Sequence, residues 1–142
     1  MGTREPVGFV AMLNHFGAPP HEPGRTAEET RSRNLKMMRE HRVVVLPAWQ
    51  GLGVGPAMSD TVAATWTAPT TLTADGRAHR VMSTTSHPRF GSYRDDNSTW
   101  HPTSGNHKMS DGKQQFSHEY TGAPYAFAAG AARRWPVAKN GS

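Results

Sequence analysis

The sequence predicts an α/β (α+β) protein organised around one strand, a glycine loop and a helix. Three observations point there. The segment His41–Pro47 holds Val43, Val44 and Val45, consecutive β-branched residues that favour the pleated backbone and resist helix. The next segment, Gln50-Gly51-Leu52-Gly53-Val54-Gly55, is glycine-rich. Beyond it Val54, Met58, Val62 and Trp66 recur at four-residue spacing, which predicts a buried helical stripe.

A chain of 142 residues suits one domain. Hydrophobic residues make up 35% of it, and 14 Gly with 11 Pro predict a modest core with long irregular segments. The lack of cysteine excludes disulfides and thiolate metal sites. No apolar run approaches the roughly 20 residues that span a bilayer. The opening Met1-Gly2-Thr3-Arg4-Glu5-Pro6 has no basic region followed by a hydrophobic stretch, so a cytoplasmic protein without a leader or membrane contact is expected. The net charge of +5 suits an anionic partner such as a polyphosphate cofactor or nucleic acid. Its basic residues are scattered, and a solvated basic surface accounts for them equally well.

Pro6–Leu13, a short apolar run, reads as a buried strand, followed by a Pro/Gly-rich loop over residues 14–25. Thr26 and Glu29 form a capping-box signal, and the helix they open is expected to reach about Glu40. The strand His41–Pro47, an uninterrupted apolar run, is expected to be covered on both faces. Pro56 fits the first turn of a helix ending at Trp66. A Thr-rich connection then ends in the turn signal Asp75-Gly76. Ala78–Thr85 reads as another strand. The polar stretch to Gln115 reads as loop, with a short helix near Phe90–Arg94. Phe116–Tyr120 reads as the last strand. Residues 1–122 are expected to form the domain, and 123–142 a tail that is weakly helical or disordered.

Strand, glycine loop and helix in that order can hold phosphate. Glycine lets backbone approach an anion closely, and the first N–H groups of the helix have no internal partners. The loop ends Gly55-Pro56-Ala57 instead of Gly-Lys-Ser/Thr, so it is not a Walker loop. Pro56 occupies the third glycine position of a dinucleotide fingerprint, which argues against that site as well.

The stretch His41–Asp60, HRVVVLPAWQGLGVGPAMSD, resembles the acetyl-coenzyme A motif of the GNAT superfamily of N-acetyltransferases. That motif is Gln/Arg-x-x-Gly-x-Gly/Ala, matched by Gln50, Gly53 and Gly55. Similarity to a bacterial and phage-borne subgroup extends through Ser83–Pro88, Trp100–Ser104 and Ser117–Tyr120, and covers about Pro6–Gly122. The resemblance implies a mixed sheet whose strand before the loop splays from its neighbour. Backbone groups of Val44, Val45 and Leu46 would then hold the pantetheine arm and the thioester. Amides of Gln50, Gly51, Leu52, Gly53, Val54 and Gly55, with Ala57, would hold the pyrophosphate. It further implies an acyltransferase that passes acetyl from acetyl-CoA to a primary amine by direct attack.

Proton-handling candidates follow from the same resemblance. Tyr93 lies where many such enzymes place a phenol that protonates the leaving thiolate. His87, His118 and Glu119 are candidate bases. Each has a structural reading beside the chemical one: Tyr93 can pack on its loop, and His87 before Pro88 can serve a turn. His101, His107 and His118 lack metal-ligand spacing, so no metal is expected. Trp49, Trp66 and Trp100 read as packing residues. The basic run Arg31–Arg42 reads as a solvated helix face sooner than an RNA site.

Two features depart from the family. The complete fold places a strand, two helices and another strand before the strand read at Pro6–Leu13, so a truncated GNAT-like sheet is expected, completed by a homodimer or a partner chain. Pro56-Ala57 also replaces the usual basic residue of the loop–helix junction. A non-catalytic remnant that binds cofactor or protein is therefore the first alternative, and a basic nucleic-acid-binding protein the second.

Overall fold

The computed structural model describes residues 4–14, 24, 26, 28–29, 37–68 and 79–126. These form a mixed α/β fold. In chain order they give β1 (Gly8–Asn14), β2 (Met37–Val45), a 3-10 turn (Pro47–Trp49), α1 (Val54–Trp66), β3 (Arg80–Thr85) and α2 (Pro88–Asp95). Then come β4 (Trp100–Pro102), β5 (Met109–Ser110), β6 (Lys113–Gln114) and β7 (Phe116–Tyr120). Five strands make one sheet in the order β1-β2-β3-β7-β4, and β5 with β6 forms a separate hairpin. Only β2 and β3 run parallel, joined by the crossover that contains α1.

Both helices pack on one face of the sheet. Side chains from β2, α1, β3 and α2 meet there, as Glu40, Ser59, Ser83 and Arg94. The apolar core beside them is small: Met38, Ala63, Val81, Trp100 and Tyr120, flanked by Met12, Ala64 and Trp66. Trp100 and Tyr120 meet edge to face with centroids 5.2 Å apart, a favoured aromatic geometry. The chain after β7 turns back onto α1, where the Tyr125 N–H donates to the Ala64 carbonyl at 2.9 Å.

The strand expected at Pro6–Leu13 is present as Gly8–Asn14 but is not buried: it is an edge strand, and Phe9 and Leu13 are exposed. Phe116–Tyr120 falls where it was expected. The capping box is formed, since the Thr26 N–H donates to Glu29 Oε2 at 2.9 Å and the Glu29 N–H to Thr26 Oγ1 at 3.2 Å. Its helix does not reach Glu40, because Met37–Glu40 already belong to β2. The two ends of that segment obey different rules: a local cap sets the first, and pairing with β1 and β3 sets the second. Nor is β2 covered on both faces. Met38 and Glu40 are buried while Arg39, His41 and Arg42 are exposed, as in a strand with one solvated face. The loop at 14–25, the Asp75-Gly76 turn and the tail beyond residue 126 lie, almost entirely, outside the described residues.

Helix α1 starts at Val54, and its most buried residues are Ser59 and Ala63, one position round from the expected stripe. Small side chains on that line let the helix lie close to the sheet. Within the polar stretch to Gln115, the short helix expected near Phe90–Arg94 is present as α2, and the part expected to be loop also holds a strand and a hairpin. The hairpin turn is Asp111-Gly112, with φ of 49° and 72°, the pair of left-handed residues that a tight hairpin requires.

Gly91 on α2 lies against the ring of Phe116 on β7. A Cβ at position 91 would stand 2.0 Å from Phe116 Cγ, well inside contact distance. Gly91→Ala is expected to cost about 1–3 kcal/mol through overpacking, despite alanine's better helix propensity. Urea unfolding reads this directly, and an unchanged or raised midpoint would refute the packing.

Candidate functional site

Strands β2 and β3 part company half-way. Their pairing runs from Met37 opposite Arg80 to Glu40 opposite Ser83 and stops. β2 continues to Val45 paired only with β1, while Thr84 and Thr85 pair only with β7. A β-bulge lies at the parting point: Met12 faces Glu40 but Ala11 faces Arg42, so His41 is an extra residue on β2. Such a bulge bends the strand and adds local twist. From His41 to Val45 the inner edge of β2 therefore carries backbone groups that β3 does not use.

The fork opens into a cleft of about 960 Å³. That volume is at the upper end of the roughly 300–1,000 Å³ of small-molecule sites. Val43, Val45, Trp49 and the glycine loop form one wall, and Thr84, Thr85, His87, Arg89 and Phe90 the other. Glu40 lies at the closed end of the fork. Trp49 is exposed on the cleft wall, whereas Trp100 is buried in packing as its sequence reading expected.

The loop closes back on the strand through its own side chain. Gln50 Nε2 donates to the Val45 carbonyl at 2.9 Å, and the Gln50 N–H to the Pro47 carbonyl at 3.3 Å. Gly51 and Gly53 have φ of 81° and 76°, which a side-chain-bearing residue adopts only with strain. Space is open round both. The first helical bond is from the Ala57 N–H to the Gly53 carbonyl at 3.2 Å. Pro56 has no N–H to offer. The free donors are thus the N–H groups of Gly51, Leu52, Gly53, Val54 and Gly55, which have no acceptor among the described residues. This concentrates positive potential where the loop meets α1.

A buried ion pair ties the closed end. Arg94 Nη2 donates to Glu40 Oε1 at 2.7 Å, with Arg94 fully buried and Glu40 nearly so. Ser83 Oγ donates to Glu40 Oε1 at 2.8 Å, and Ser59 Oγ to Glu40 Oε2. Arg94 donates in turn to both serine hydroxyls. Its guanidinium stacks 4.2 Å from the ring centroids of both Phe90 and Trp100. Burial pulls the Arg94 pKa down and the charge of Glu40 pulls it back. Guanidinium starts so high that it stays charged. Sequence reading missed this site, because an isolated Glu and Arg 54 residues apart read as surface residues.

The proton-handling candidates are dispersed. His87 lines the cleft and caps α2, its Nδ1 accepting from the Phe90 N–H at 3.4 Å. Tyr93 and Glu119 do not line the cleft. The Tyr93 hydroxyl donates to Asp60 Oδ2 at 3.1 Å, and burial together with the Asp60 charge raises its pKa. Glu119 is held by Arg80 in a two-pronged ion pair at 2.6 and 2.7 Å. His118 is fully buried and shares Asp95 with His107, at 2.8 and 2.7 Å. Among the described residues no three His, Asp or Glu side chains converge on a metal position. Likewise, no described helix is long and apolar enough to cross a membrane.

Asp95 only accepts hydrogen bonds, so His118 Nε2 carries the proton towards it, leaving Nδ1 buried without a partner among the described residues. Burial lowers the His118 pKa, partly offset by Asp95. Burial alone would raise the Asp95 carboxyl, but hydrogen bonds from Asn106, His107 and His118 outweigh it and hold it low.

Comparison with family models, with curated proteins and with solved structures returns no match.

Two outcomes test this site. Arg94→Met strands Glu40 in the interior and is expected to cost about 3–5 kcal/mol, much of which the double variant Glu40→Leu/Arg94→Met recovers. Denaturant midpoints of the three proteins decide it, and a fully additive double variant would contradict a direct pair. For His118, the lowered pKa means the unfolded chain binds the proton more tightly. Its contribution is complete above the ordinary value of 6.5 and is lost as pH falls from there towards the folded value. His118→Gln should flatten the decline in stability between about pH 7.5 and about pH 5 relative to the parent, measured by urea titration at each pH.

Proposed function

We propose that the cleft binds acetyl-coenzyme A and that the protein transfers its acetyl group to a primary amine, as a GNAT-like N-acetyltransferase. The observation that carries this reading is the fork itself: β2 leaves β3 beside a glycine loop that lines the same cleft and whose N–H groups have no acceptor among the described residues. The cradle suits a long ligand with a pyrophosphate at one end. Gly51–Gly55 would hold the pyrophosphate through backbone N–H groups, and Gln50 would brace the loop against Val45. Val43–Val45 would offer backbone partners to the pantetheine amides. When bound, the coenzyme supplies an activated thioester carbonyl. The protein's part is to orient an amine against it and to exclude water.

Among the proton-handling candidates His87 has the best position, on the cleft wall. Tyr93 and Glu119 are engaged with Asp60 and Arg80 and would need to change partners to take part. That engagement favours the second reading, a module that holds the coenzyme without turnover. The outer edge of β1 is where a second copy or partner chain would extend the sheet.

Calorimetry tests the cofactor site. Acetyl-coenzyme A is expected to bind at sub-millimolar concentration, and Gly53→Glu, which places a carboxylate at the loop, is expected to weaken it at least about tenfold. Thermal unfolding run alongside shows whether the variant is folded. Unchanged affinity in a folded variant would remove the loop from the site. Release of free coenzyme A with an amine panel then separates enzyme from module.

A further inference from the structure

We propose that the acceptor amine carries its own anionic group, a carboxylate or phosphate a few bonds from the nitrogen, and that Arg42 binds it with help from Arg39. This rests on the acetyl-transfer reading of the cleft and names the substrate class for it.

The strand register gives each side chain its face. Met38 and Glu40 turn towards the helices, so Arg39 between them turns away. Past the bulge, methyl groups of Val45 and Val43 lie 3.4 and 3.8 Å from where a Cβ on Gly55 would stand. Those valines therefore face α1, and Arg42 faces the opposite side with Arg39. On β3, Thr84 alternates with the buried Ser83 and faces that side too. The fork thus passes through the sheet. One mouth carries the glycine loop, and the other is bordered by Arg42 and Thr84, both of which line the cleft.

Charge at the second mouth has one sign. Arg80 on the same face is paired with Glu119. Arg39 and Arg42 are exposed and make no ion pair among the described residues. Glu40 is the single carboxylate among the described cleft-lining residues, and Arg94 occupies it. An amine approaching by this mouth meets guanidinium groups and finds no free carboxylate among the described residues that line the cleft. A second cation on the acceptor would be repelled, whereas a carboxylate or phosphate gains a forked partner that fits both. In the transfer, the neutral amine nitrogen forms the C–N bond and the thioester C–S bond breaks, its electron pair leaving on sulfur. The proton lost by nitrogen balances the one taken up by the thiolate.

Protein saturated with coenzyme A is titrated with phosphoethanolamine, β-alanine, ethanolamine and 1,3-diaminopropane, and acetyl transfer from acetyl-coenzyme A is measured on the same four. The two anionic amines are expected to bind and to show kcat/KM at least about tenfold above ethanolamine, the scale of one charge-assisted hydrogen bond. Arg42→Gln should raise KM for phosphoethanolamine about tenfold with coenzyme affinity held, and Arg42→Lys should restore part of it. Preference for ethanolamine or the diamine, with coenzyme A bound, overturns this inference and leaves the cofactor reading standing. Failure of coenzyme A to bind removes both. Short RNA bound through Arg42, with no amine bound, also overturns the inference.

Discussion

The Glu40–Arg94 ion pair is the interaction on which the rest of the described fold depends. With Ser59 and Ser83 it joins β2, α1, β3 and α2 at one buried point. Taking both charges out of water costs several kcal/mol per ion, and such pairs rarely stabilise more than a well-packed apolar cluster would. What this one supplies is position. Each Glu40 oxygen accepts from a different element, so the two strands, both helices and the start of the fork are fixed relative to one another. An apolar cluster of the same volume would be free to slide.

That point also divides the sheet by function. On one side of it lies the small apolar core of Met38, Val81, Trp100 and Tyr120. On the other the strands diverge, and the apolar core of the described residues does not extend between them. The aromatic ring of Phe90 and the two valines of β2 border the opening. An unfilled fork is stable because the ion pair and the β1–β2 ladder hold its arms.

Local rules were legible in the sequence, and long-range ones were not. The capping box at Thr26 and Glu29, the strand Phe116–Tyr120 and the left-handed glycines of the loop follow from neighbouring residues alone. So did the Asp111-Gly112 turn, whose signal is plain but was read as part of a loop. The start of β2 was hidden because Met37, Met38 and Glu40 have helical composition, and only pairing with remote residues of β1 and β3 makes them a strand. The burial of Glu40, Arg94 and His118 was hidden for the same reason, since each is paired with a partner remote in sequence. At the candidate site the loop's place between strand and helix was readable, although α1 starts at Val54 instead of near Pro56 and takes up the Ala57 N–H. The divergence of β2 from β3 entered only through family resemblance, because no local pattern marks the bulge at His41.

That bulge makes the cleft a matter of a single residue. The bulge absorbs one extra residue, so Glu40 and Arg42 still occupy successive rungs on opposite faces, while the strand bends between them. Without His41, Arg42 would follow Glu40 directly and every side chain beyond would keep its present face, but the local bend would be lost and β2 could run on beside β3 as an ordinary ladder. A one-codon insertion or deletion is thus enough, in principle, to open this cavity or to abolish it while every element of the sheet remains. Among related chains, length at this position would then separate forked sheets from closed ones more sharply than the glycine loop does.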